Sequence, residues 1–140
     1  MSDIRYSTRD SISVEQFIDV LQKSTLGERR PVDDLNAMTH MVEHADLIAT
    51  AWSGDQLVGV ARAFTDYAYC CYLSDLAVVK EHQRTGIGRA LIAETQKVLE
   101  AGCQVVLLAA PGAQAFYPKI GFEKHKSAWV LTGKAGPPES

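Results

Sequence analysis

A chain of 140 residues with 46% apolar and 22% charged side chains can bury one core of ordinary size without a disulfide or a metal to staple it. Its net charge of −3, with basic residues scattered rather than clustered, argues against a nucleic-acid partner, and its longest apolar run, Val105 to Ala110, is too short to cross a membrane. Three cysteines, two of them adjacent (Cys70 and Cys71), suit neither a disulfide framework nor a zinc site, and with the polar amino terminus they read as a protein of the reducing cytoplasm.

Asp3 to Ser7 alternates polar and apolar residues and predicts a first strand. Ser13 and Gln16 form a capping box, after which Val14, Phe17, Ile18 and Leu21 recur at helical spacing. A first helix should therefore run to about Ser24, before Gly27 and Pro31 break the pattern. Asp33 or Asp34 caps a second helix whose apolar face carries Leu35, Met38, Met41 and Val42. His40 and His44 lie one helical turn apart on it, the spacing of a metal pair, but no third ligand accompanies them and no metal site is assigned. Asp46 to Trp52 and Gln56 to Thr65, separated by Ser53-Gly54-Asp55, predict a hairpin, and Cys70 to Val79 predicts the next strand of an antiparallel meander.

The stretch from Leu73 to Leu91 carries the strongest signal. An apolar strand is followed by the polar turn Lys80 to Thr85 and by a helix opening near Gly86, with Ile87, Ala90, Leu91, Ala93, Thr95, Val98 and Leu99 as its inward stripe and Gly102 beyond its end near Ala101. A strand, a glycine turn and a helix bring unpaired backbone N–H groups and the positive end of a helix dipole to one point, which suits a phosphate, and Arg84 and Arg89 add charge there. The spacing excludes two nucleotide motifs. Leu91 stands where a dinucleotide fingerprint needs its third glycine, Val106 where it needs an acid, and Gly88 is followed by Arg89-Ala90 rather than by Lys-Ser/Thr.

A parallel crossover should link the Leu73 strand through the helix to Val105–Leu108, a continuous apolar run that reads as a fully buried strand. Cys103, in a Gly-Cys-Gln turn with no histidine nearby in sequence, reads as an inert thiol rather than a nucleophile. A short helix from Pro111 to about Lys119, a last strand from Phe122 to Leu131 and a disordered Gly/Pro-rich tail from Gly133 to Ser140 complete the chain. No internal repeat or domain boundary is visible, so residues 1–132 read as one domain.

Gln83-Arg84-Thr85-Gly86-Ile87-Gly88 resembles the Gln/Arg-x-x-Gly-x-Gly/Ala pyrophosphate loop of the GCN5-related N-acetyltransferases, the GNAT superfamily. Ala113 to Phe122, with Tyr117-Pro118-Lys119-Ile120-Gly121-Phe122 at its end, resembles that family's second signature. Both motifs occur in the family's order, and together the resemblance covers roughly Asp46 to Val130, in the manner of a small single-domain bacterial-type member. It implies an α/β (α+β mixed) fold: a sheet of six or seven strands, an antiparallel amino-terminal meander with one parallel crossover, helices on both faces, and a V-shaped opening between the strands Tyr72 to Val79 and Val105 to Leu108.

The resemblance further implies acetyl-CoA as co-substrate, held by Gln83, Arg84, Thr85, Gly86, Ile87, Gly88 and Arg89 and by a bulged or splayed strand at Leu76, Ala77 and Val78, where a backbone N–H would meet the thioester oxygen. Tyr117 becomes the catalytic acid, since a phenol with an ordinary pKa of about 10 is protonated at neutral pH and can donate to the departing thiolate. Many members carry Asn seven residues before that tyrosine; Ala110 stands here, which puts side-chain contacts to the cofactor from that position in doubt. The segment between the first two helices borders the acceptor in the family, so Glu28, Arg29 and Arg30 are candidates to touch substrate, together with Tyr72 and Asp75 on the cofactor strand. The base stays open among Asp75, Glu28, His40, His44 and a water chain. The implied reaction is acetyl transfer to a primary amine of a small molecule or peptide by direct attack in a ternary complex, with a homodimer left open. The competing reading is a non-catalytic module of the same fold that binds coenzyme A or a protein; the presence of Tyr117 favours the enzyme.

Overall fold

The computed structural model describes residues 3–132. The chain divides into two compact units, Met1–Leu108 and Ala109–Ser140, taken in turn below.

In the first unit, helix α1 (Val14–Ser24) begins at the predicted box: Ser13 Oγ accepts from Gln16 N at 3.0 Å and Ser13 N donates to Gln16 Oε1 at 2.8 Å. It buries Phe17, Val20 and Leu21 and stops at Thr25, which takes the left-handed φ of 82°. A single 3-10 turn, Leu26–Arg29, leads to α2 (Leu35–Glu43), capped by Asp34, whose Oδ1 accepts from Ala37 N at 3.0 Å.

Five strands form one sheet: β1 (Ile4–Ser7), β2 (Leu47–Ser53), β3 (Gln56–Thr65), β4 (Cys70–Val78) and β5 (Gln104–Val106), arranged in that spatial order. The first four are antiparallel neighbours, and β5 joins β4 in parallel after the crossover helix α3 (Ile87–Lys97). The helices occupy opposite faces. A methyl group at Gly59 would sit 3.0 Å from Leu91 Cδ1 and 3.1 Å from Ile87 Cγ2, so α3 lies on the Gly59 face. Arg62, three residues along β3 and therefore on the other face, donates to Met41 O of α2. This is the expected mixed architecture.

Several expected details differ. The described residues contain five strands, not six or seven, because Phe122–Leu131 is not a strand: Ser127 N and Oγ turn back on His125 Nδ1, at 3.2 and 3.0 Å, and Trp129 is 90% exposed. Strand-forming side chains are a preference, and no strand pairing among the described residues realises it here. Val105–Leu108 is not fully buried either; β5 is an edge with one neighbour, and Val106 and Leu108 are about half exposed. Helix α3 is shorter than expected and buries Ile87, Leu91, Ile92 and Thr95, while Ala93 and Val98 face outward. In the second unit, the helix expected over Pro111–Lys119 is broken into a 3-10 turn, Pro111–Ala113, and the single turn α4 (Phe116–Lys119). The expected disordered tail, Gly133 to Ser140, lies outside the described residues.

Candidate active site

The loop between β4 and α3 is built to leave backbone donors free. Gln83 Nε2 donates to Val78 O at 2.9 Å and to Ser24 O at 3.3 Å, tying the loop to the strand it leaves and to the end of α1. Thr85 Oγ1 closes the turn on His82 O. Arg84 and Gly86 both adopt positive φ, 65° and 91°. A methyl at Gly86 would meet nothing within 4 Å, so glycine is favoured there by its φ and not by crowding. The first bond of α3 runs from Ala90 N to Gly86 O at 3.0 Å, and no side chain caps the helix. The N–H groups of Ile87, Gly88 and Arg89 thus have no acceptor within the helix, and the positive end of its dipole stands behind them. Arg84 and Arg89 are exposed beside them. A depression of about 260 Å³ lined by Gln22, Lys23, Gln56, Val79, Lys80 and Glu81 adjoins the start of the loop.

Strand β4 supplies the second feature. Its pairing with β5 covers only Cys70↔Gln104, Cys71↔Val105 and Tyr72↔Val106, after which the strands part. On the other side it stays paired with β3 to Val78, and Val79 N donates to Val58 O at 2.9 Å. Alternation along an antiparallel strand then turns the N–H groups of Leu76 and Val78 away from β3, toward the edge that β5 leaves, whereas those of Ala77 face β3. Leu76 and Val78 are half-buried and Ala77 is buried. The bulge lies upstream of where it was expected: Arg62 opposes Asp75 and Ala63 opposes Leu73, which leaves Ser74 as the extra residue.

At this bulge lies a charged cluster whose full extent the sequence did not reveal. The Asp75 side chain has no solvent exposure, and its two oxygens accept from Arg62 Nε and Arg30 Nε. Arg62 also donates to Met41 O at 3.2 Å and Ser74 Oγ at 3.1 Å, and Arg30 to Ser74 O at 2.8 Å and Arg29 O at 2.9 Å. No buried side-chain polar atom among the described residues lacks a partner. Arg62 had gone unremarked, although a lone arginine inside the apolar run Val58–Phe64 is a signal in itself, because a buried guanidinium requires a buried anion.

The other candidates are spread out. Glu28 and Arg29 are exposed on the 3-10 turn, and Tyr72 is half-buried at the last β4–β5 pair. His40 and His44 are exposed with their rings stacked 5.4 Å apart, and the described residues contain no group of three or more His, Cys, Asp or Glu that could hold a metal. Tyr117, in the second unit, sits on α4 between the edge-on rings of Phe116 and Phe122, with centroids at 5.2 and 5.4 Å. Burial pushes its phenol above the ordinary tyrosine range. Ala110 opens the preceding 3-10 turn, its carbonyl accepting from Ala113 N at 2.9 Å.

Residues 13–133 match the family model described as the acetyltransferase (GNAT) domain. The chain is 27% identical over 127 residues to an uncharacterised N-acetyltransferase, ycf52, of Porphyra purpurea, covering 89% of this chain and 72% of that protein. Among solved structures, a probable acetyltransferase of meticillin-resistant Staphylococcus aureus superposes with a TM-score of 0.77 at 20% identity, over 94% of this chain and all of the other. AAC(6')-Iy, solved with the bisubstrate analogue CoA-S-monomethyl-acetylneamine, superposes with a TM-score of 0.71 at 16% identity, over 96% of this chain and all of the other. With the family model matching most of its length, the chain belongs to the GNAT acetyltransferases.

Proposed function

We propose that the protein moves an acetyl group from acetyl-CoA to a primary amine of a small molecule or peptide, by direct attack while both substrates are bound. The uncapped amino end of α3 carries this reading: three backbone donors, a helix dipole and two arginines suit a phosphate-bearing ligand such as a pyrophosphate. Acetyl-CoA supplies the acetyl group as a thioester together with the phosphates. Gln83, Arg84, Thr85, Gly86, Ile87, Gly88 and Arg89 hold those phosphates, through backbone N–H groups at the helix start and through side-chain charge at its flanks. The outward N–H of Leu76 or Val78 polarises the acetyl carbonyl at the edge that β5 leaves free. Tyr117 gives its proton to the departing sulfur. The phenol, whose pKa burial raises, is protonated throughout the neutral range, as a proton donor must be.

Glu28, Arg29 and Tyr72 are assigned to the acceptor side. Asp75 belongs there by position, but both its oxygens already accept from guanidinium groups, so Glu28, His40, His44 or water is better placed to take the proton of the amine. The analogue bound by AAC(6')-Iy, which joins CoA to acetylneamine, supports two substrates meeting on this fold. Since the family match spans both units, residues 1–132 are read as one functional domain. Three free cysteines support a cytoplasmic setting.

Thiol release from acetyl-CoA tests the proposal, with sisomicin, spermidine, L-lysine and a tetrapeptide with a free amino terminus as acceptors. Release with at least one amine is expected, and Tyr117→Phe should lower kcat roughly 10²- to 10⁴-fold with acetyl-CoA affinity unchanged. Tight binding of acetyl-CoA without release to any amine would instead mark a non-catalytic module.

A further inference from the structure

Arg30 joins the connector between α1 and α2 to the sheet. Its Nε donates to Asp75, its Nη2 to Ser74 O and its Nη1 back to Arg29 O. Charge balance does not require it. One carboxylate compensates one guanidinium, and Arg62, whose side chain is 6% exposed against 23% for Arg30, is the more buried partner of Asp75. Without Arg30 the interior would still hold a neutral Arg62–Asp75 pair. What Arg30 adds is a location for the backbone that carries it.

That backbone is tied to α1, where Leu26 N donates to Ser24 Oγ at 3.2 Å and the Gly27 backbone packs closely on Leu21 and Gln22, whereas its hydrogen bonds to β4 are those of Arg30. The Leu26–Arg29 turn buries no residue, has no side-chain cap, and follows Thr25 in its left-handed conformation. A surface turn of this kind opens at low free energy unless something ties it. The ties run to Ser74 and Asp75, two residues and one residue before Leu76 on the same strand. The connector is thereby fixed against the bulge that precedes the proposed reaction edge.

We propose that Arg30 is a positioning residue for the acceptor amine: by clamping the Leu26–Arg29 turn to Ser74 and Asp75, it sets where Glu28 and Arg29 stand relative to the Leu76–Val78 edge. The inference rests on reading that edge as the reaction site. Asp75 then works as a strut and takes no proton from substrate. A misplacement of about 1 Å in a substrate-holding segment is enough to cost up to roughly 100-fold in rate, so a clamp remote from the chemistry has a measurable kinetic role.

The test uses Arg30→Met, which keeps the aliphatic reach and removes the donors, and Arg30→Lys, which restores the charge on a single nitrogen but not the separate Nε and Nη2 donors that reach Asp75 and Ser74 O. Hydrogen exchange is followed at the amides of residues 26–30, and steady-state kinetics with the best amine of the four named above. Arg30→Met is expected to speed exchange in the connector by roughly tenfold or more with α1 and β3 unchanged, and to raise the acceptor KM by roughly tenfold while kcat stays within about threefold and acetyl-CoA affinity is kept. Arg30→Lys should fall between Arg30→Met and wild type. Unchanged connector exchange and unchanged KM in an active protein overturn this inference alone. Faster exchange throughout the sheet, with kcat and KM failing together, also overturns it, by making Arg30 a general stabiliser. A wild type that binds acetyl-CoA but acetylates none of the amines overturns both readings.

Discussion

The two long helices of the first unit begin in opposite ways. Helix α1 closes its amino end with its own side chains, Ser13 and Gln16 each satisfying a backbone N–H of the other. Helix α3 starts at Gly86, which has no side chain to cap with, and its first donors are left for a partner outside the helix. The same contrast separates the Asp75 cluster, where the carboxylate is enclosed by two guanidinium groups, from the loop that follows β4. Polar groups closed within the chain hold the fold, whereas those left open are available to a ligand. A glycine in place of a capping side chain forgoes roughly a few tenths of a kcal/mol of helix stability. At α3 a phosphate bound as proposed would offset it.

If that division is right, the largest effect falls on stability alone. Asp75→Ala leaves two buried or half-buried guanidinium groups uncompensated and should lower the unfolding free energy by about 3–5 kcal/mol in urea titration. The protein that remains folded should still bind acetyl-CoA; parallel loss of both properties would erase the distinction. Next comes Gly86→Asp, which sets a carboxylate at the open end of α3. Calorimetry should show acetyl-CoA affinity reduced roughly 10- to 100-fold, against about 1 kcal/mol of stability for a side chain held at φ 91°. Undiminished affinity in that variant would remove the loop from the site. Ser13→Ala is the matched control at the closed end: a loss of about 1 kcal/mol of stability and no change in affinity.

The smallest effect is confined to alkaline solution. Burial raises the pKa of both Tyr6 and Tyr117 in the folded chain. The folded state therefore holds these protons more tightly than the unfolded one. Their contribution to stability is complete below the ordinary tyrosine pKa of about 10 and is lost as pH rises through the higher folded values. The melting temperature should fall above about pH 10, and less steeply in Tyr6→Phe. An equal fall in that variant would assign the alkaline loss to other groups.

Local chemistry was legible in the sequence, and pairing at a distance was not. Ser13 with Gln16, Asp34, the turn around Gly54 and the opening of α3 at Gly86 each depend on residues within a few positions, and all stand where expected. The strand predicted over Phe122–Leu131 needed a sheet edge to accept it, and the burial predicted for Val105–Leu108 needed a second neighbour; neither follows from side-chain pattern. The Asp75 cluster shows the same limit at the site. Its acid was noticed for its place on the cofactor strand, but its partners lie 13 and 45 residues away in the chain, and only the register of β3 against β4 brings Arg62 opposite.

Gly59 is distant in sequence from every residue assigned to the reaction, yet it bears on how accurately the loop is placed. It lies in the middle of the sheet beneath α3, and the side chains that close over it belong to Leu91 and to Ile87, the first residue of that helix. The missing methyl therefore acts as a spacer of zero thickness, and the height of the helix above the sheet is machined at this point. Adding the methyl would press on the Leu91 and Ile87 side chains, which must give by a few tenths of an ångström, and the lever is short: Ile87 bears one of the three open N–H groups itself. The tolerance of the proposed phosphate cradle is thus set in the hydrophobic interior, by an atom that is not there.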